Sequence, residues 1–149
     1  MIMDSLSEFC DAVALSTAGT GTYAIGNNLD TGSVVRDLGQ GQPLFLVITV
    51  DTAVTGTSST VQFQLVSDAQ DPPAADGTET IHIMTQDFPE ASLVAGYTIV
   101  HPLPMGDLDY ERYLGVQYIV GAAALTAGKI NAFLTLDPTG WRAYPEGTN

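Results

Sequence analysis

Apolar and polar residues alternate with a period of two along most of the chain, the mark of strands with one buried and one wetted face. Residues 60–66 show it most cleanly: Val61, Phe63 and Leu65 point one way, Gln62 and Gln64 the other. Residues 112–120 place Leu114, Val116, Tyr118 and Val120 on one face. Residues 129–136 turn Ile130, Ala132, Leu134 and Leu136 inward, and 78–84 put Ile81 and Ile83 together. Residues 44–51 are apolar almost throughout, the pattern of a strand covered on both sides. A short strand over 97–100 stops at Pro102, and two weaker ones are expected near 12–16 and 22–25.

Turn chemistry separates these pieces. Gly39-Gln40-Gly41-Gln42-Pro43, the run 55–59, Asp71-Pro72-Pro73 and Asp76-Gly77 each break the chain, and Ala127-Gly128 is expected to close the last hairpin. No segment has a helical period with caps. The nearest candidate is a helical turn within 3–13, with Leu6, Phe9 and Val13 on one side. About eight short strands with regular punctuation predict an all-β fold, an antiparallel β-sandwich or jelly roll. One domain spans 1–149, with arms at 1–11 and 138–149. The last arm carries the single Trp, Trp141, together with Tyr144. These rings need a surface to bury against, either the chain's own sandwich or a neighbouring subunit.

Charge changes the picture in two ways. The 149 residues hold 17 Asp+Glu against four Lys+Arg, a formal charge of -13, yet only 14% of residues are charged where about 25% is ordinary. Arg36, Arg112, Lys129 and Arg142 are scattered. Neutralising duplex phosphates takes clustered cations, so nucleic acid and anionic membrane surfaces are not expected partners. The sparseness has a separate meaning: large uncharged patches mark contacts with other proteins. The start, Met1-Ile2-Met3-Asp4, lacks the basic and apolar regions of a signal peptide, and no apolar run reaches about 18 residues. One Cys excludes an internal disulfide framework.

Little in the chain promises chemistry. His82 and His101 are isolated, whereas cupin-type metal sites gather several histidines and a carboxylate. Cys10 has no sequence partner for nucleophilic catalysis and is expected to be a partly buried free thiol. Asp107, Asp109 and Glu111 alternate and form the best candidate for a hard cation, but their spacing is not that of an EF-hand, and a solvated acidic loop is the plainer reading. Asp68, Asp71 and Asp76 read the same way. No catalytic residue, cofactor or metal is assigned.

Four blocks carry a resemblance. They are Met1-Ile2-Met3-Asp4 with Phe9-Cys10-Asp11-Ala12; 39–51, with Gln42-Pro43-Leu44 leading into Val47-Ile48-Thr49-Val50-Asp51; Pro102-Leu103-Pro104 followed by 111–118; and Gly128-Lys129-Ile130 through Leu136-Asp137-Pro138 to Trp141-Arg142-Ala143-Tyr144-Pro145. In order and spacing they resemble the small cement, or decoration, proteins of tailed-phage heads, over nearly the whole chain outside 52–59 and 68–79. The resemblance implies a jelly-roll virion protein made in the bacterial host cytoplasm. It would sit on the capsid exterior as a homotrimer and clasp the major capsid protein, without catalysis. A strongly acidic chain suits the outside of a DNA-filled shell. Trp141 and Tyr144 are then candidate anchors, since aromatic residues dominate hot spots. Arg142, Arg112 and Arg36 are candidate partners for acidic groups on the capsid or a neighbouring subunit, against the alternative of salt bridges within the chain. An alternative function, a carbohydrate-binding jelly-roll module of a phage head fibre or lectin type, would use exposed Tyr110 and Tyr113 beside Asp107 and Asp109.

Overall fold

The computed structural model describes residues 5–32, 38, 42–105 and 109–138. After a 3-10 turn at Ser5–Ser7 come nine strands: β1 (Glu8–Ala14), β2 (Gly21–Asp30), β3 (Phe45–Gly56), β4 (Thr60–Asp68), β5 (Thr80–Met84), β6 (Phe88–Pro89), β7 (Thr98–Pro102), β8 (Tyr113–Gly121) and β9 (Leu125–Thr135). They form two antiparallel sheets, ordered β1-β9-β3-β7 and β2-β8-β4-β5, with β6 added to β4. First pairs with last (β1·β9), then β2 with β8, β3 with β7 and β4 with β5. That nesting is a long hairpin rolled so that successive pairs fall in alternate sheets, which is a jelly roll.

The inner faces follow the alternation. Phe63 and Leu65 of β4, Leu114, Val116, Tyr118 and Val120 of β8, and Ile130 and Ala132 of β9 are all buried in one core. Removing a side chain of Val, Leu or Phe size from water is worth roughly 1.5–3 kcal/mol, so these two faces supply much of the drive to close the sandwich. On the other face of β4, Val66 is buried too. The loop 69–79 folds back over that side: Pro73 is buried against Gly115, and Gln117 Nε2 donates to the carbonyls of Pro73 and Ala74 at 3.3 and 2.6 Å.

Several expectations fail for identifiable reasons. The helical candidate becomes β1, because Glu8, Cys10 and Val13 pair with Phe133, Ala132 and Ile130 of β9. Leu6 is exposed while Phe9 and Cys10 enter the core, so the part of the expected arm from 8 to 11 is sheet. Ala127 and Gly128 do not make a turn; they lie inside β9, which runs along the full length of β3. The chain instead crosses between sheets at 122–124, with Ala122 at φ 61° and Ala123 N–H bonded to the Gly121 carbonyl. Leu136 lies past the end of β9 and is exposed. Ile81 is exposed although Ile83 is buried, because β5 is bulged: Leu65 pairs with Ile83 and Val66 with Ile81, leaving His82 as the extra residue.

One close approach fixes a corner of the sandwich. β2 is irregular between Ile25 and Leu29, and Gly26 there has φ +70°. A Cβ at Gly26 would run into the Phe9 carbonyl and the Cys10 side chain, so glycine lets β1 of one sheet cross β2 of the other.

Candidate functional site

Arg112 ends the segment leading into β8 and meets the end of β2. Its Nε donates to Asp30 Oδ1 at 2.9 Å and its Nη2 to Oδ2 at 2.8 Å, a two-pronged pair. The guanidinium also lies 4.8 Å from the centre of the Tyr113 ring. The Arg112 hydrogen bond, joined by the Gly32 N–H, holds the Asp30 carboxyl down at about 2. The pair remains half exposed. Of the expected contact residues, Arg112 is thus engaged within its own chain. Trp141, Tyr144, Arg142 and Arg36 lie outside the described residues, as does Asp107 of the acidic run.

The acidic loop spends its carboxylates on its own backbone. Asp68 accepts from the Gln70 and Ala74 N–H groups, Asp76 from Thr78, and Glu79 from the Gly77 N–H, while Asp71 accepts from Asn28 Nδ2. These bonds shape the loop that covers Gln117. Among the described residues no three His, Cys, Asp or Glu side chains gather as a metal site. Beside the β2 irregularity an open groove of about 380 Å³ is lined by Leu6, Glu8, Asn27, Asn28, Leu29 and Asp30. Its only trace in the sequence is the Gly26-Asn27-Asn28 run, which interrupts an alternating strand.

A polar cluster lies at the end of β4. The His82 ring stacks on Tyr110 with centroids 3.9 Å apart, and its Nε2 is 2.7 Å from Ser67 Oγ. Ser67 Oγ also accepts the Glu111 N–H at 3.0 Å, and Glu111 Oε1 accepts from Thr80 Oγ1 at 2.8 Å. Tyr110 donates to the Pro104 carbonyl at 3.0 Å, and burial pushes its phenol up to about 12. His82 and Tyr110 stand apart in the sequence, and the bulged pairing of β5 with β4 sets the His82 ring on Tyr110. The contact has the composition of a serine–histidine dyad, but Ser67 is fully buried and out of a substrate's reach. Tyr110, expected to be exposed, is 3% exposed. It therefore cannot serve as a stacking platform for a sugar, and the carbohydrate reading loses one of its two rings.

Cys10 is a buried free thiol whose Sγ contacts the Ile130 carbonyl. Burial pushes it up to about 12, so it is the opposite of an activated nucleophile.

The chain matches the Bbp16 family over residues 11–134. It belongs to that family. The match begins inside β1 and ends inside β9, so Bbp16 corresponds to the sandwich itself, with 1–10 and 135–149 outside the match. The name points to a phage-related protein. No curated protein matches the chain.

Proposed function

We propose that this Bbp16-family protein is a structural component of a tailed-phage head that cements its outer surface by binding the major capsid protein and further copies of itself, as a trimer. The observation that carries this reading is the family match across the whole sandwich, together with the phage-related family name. The charge pattern supports it. A chain at -13 is repelled by packaged DNA and suited to the exterior, and a surface with few charges suits contact with protein. The buried states of Ser67 and Cys10 are consistent with a role played by shape rather than by reactive groups. Several weak contacts made by one oligomer add through effective concentration, which lets modest interfaces resist internal pressure. In this reading the 138–149 arm, with Trp141 and Tyr144, supplies anchors, and Arg36 and Arg142 meet acidic partners, while Arg112 is held by Asp30 of its own chain.

The test is made on particles. The purified protein is sized by light scattering and mixed with expanded heads lacking it. Trimers that co-sediment with heads and raise their disruption temperature support the proposal. A monomer that never co-sediments with heads overturns it. Deleting 137–149 should weaken trimer or head attachment, and normal assembly of the truncated chain would remove the arm from the reading.

A further inference from the structure

Three parts of the fold meet at one imidazole: the end of β4 through Ser67, the edge strand β5 through His82 itself, and the segment 109–112 through Tyr110 and Glu111. The His82 Nδ1 is buried and has no hydrogen-bond partner. Counting protons shows what this does. Ser67 Oγ already accepts the Glu111 N–H. If Ser67 donates to Nε2, the neutral imidazole carries its proton on Nδ1, where nothing accepts it. If Nε2–H donates to Ser67, the serine proton is the one left over. Either neutral form strands one buried proton. The imidazolium strands two, because Nε2–H must then donate to Ser67 while Nδ1–H faces no acceptor. An unmatched buried donor loses its water without compensation.

We propose that His82 is an acid-sensitive latch: neutral, it clamps the 109–112 segment and β5 onto the end of β4, and on taking up a second proton it releases them. Burial, the larger influence, lowers the affinity of His82 for that proton, and the Glu111 carboxylate opposes it from one side. Among the described residues Glu111 is the charged group acting on the ring, and it is held by Thr80. The Asp68 carboxylate of β4 is turned to the Gln70 and Ala74 N–H groups. The stacked Tyr110 phenol stays neutral throughout. Because the closed state resists the proton, the open state binds it more tightly. The latch is therefore at full strength above the ordinary histidine value of 6.5 and weakens as pH falls below it.

Amide hydrogen exchange on the full chain tests this, with rates corrected for the intrinsic pH dependence of exchange. Between pH 7.5 and pH 5 the Glu111 amide and those of β5 are expected to lose protection, while β8 core amides such as Val116 keep theirs. In His82→Phe, which keeps a ring on Tyr110 but cannot titrate, that selective loss should vanish. The wild-type comparison with β8 needs no variant. Protection at Glu111 and β5 that tracks β8 down to pH 5, or a selective loss that survives in His82→Phe, overturns the proposal.

Discussion

Gly26→Ala and Gly77→Ala together measure how tightly the two sheets meet at the β1–β2 corner. Both glycines have positive φ, +70° and +91°. An L-residue there costs about 1–2 kcal/mol from its Cβ alone. At Gly77 nothing lies within 4 Å of the new methyl, so that cost is the whole effect. At Gly26 the methyl collides with the Phe9 carbonyl, which is backbone and cannot swing aside. Relief requires β1 to lift from β2, which begins to unpack Phe9, a side chain at 0% exposure. Losing a large share of that burial adds roughly 1.5–3 kcal/mol. The sum for Gly26→Ala is about 3–5 kcal/mol. At about 2–4 °C per kcal/mol for a domain of this size, the midpoint should fall by roughly 6–20 °C. Urea and thermal melts followed by far-UV circular dichroism, at one fixed protein concentration, read both variants. A Gly26→Ala variant that loses no more stability than Gly77→Ala would refute the corner contact.

Other expectations follow from single contacts. Arg112→Ala should let the Asp30 carboxyl titrate upward from about 2 toward the ordinary 3.8, read by NMR. Since the folded value is the lower one, the pair's small contribution to stability is present above that ordinary value and fades as pH falls toward 2. Cys10 should resist a thiol reagent in the native protein at pH 8 and react fully in denaturant; fast native labelling would contradict its burial. Gln117→Ala leaves two loop carbonyls without their donor and should cost about 1–3 kcal/mol while making 69–79 easier to cleave. Gln117→Glu should cost more, because a buried carboxylate would face two carbonyl oxygens, and proteolysis kinetics with urea melts check both variants.

Fold class, the main strands and most inward faces were legible because a sheet with one buried face writes its register into the sequence as a period of two. The residues 61–65 and 114–120 gave both the strand and its inner side without reference to anything distant. Turns at 55–59, 71–73 and 76–77 were equally local, since proline, glycine and Asx chemistry act on their own backbone. The acidic, sparsely charged surface was also plain from composition, and it carries much of the functional proposal. What the sequence left open depends on partners far along the chain. Glu8–Ala14 is a strand only because β9 lies beside it, some 120 residues later. The glycine at 128 signals a turn locally, yet it sits inside β9, at an irregularity in that strand's pairing with β3. Whether His82 faced solvent or the core could not be read from alternation, because one extra residue in β5 changes its phase. The Ser67–His82–Tyr110–Glu111 cluster, the Arg112–Asp30 pair and the Gly26 corner therefore belong to tertiary structure alone. Each joins separate segments of the chain, and only the rolled hairpin brings those segments together.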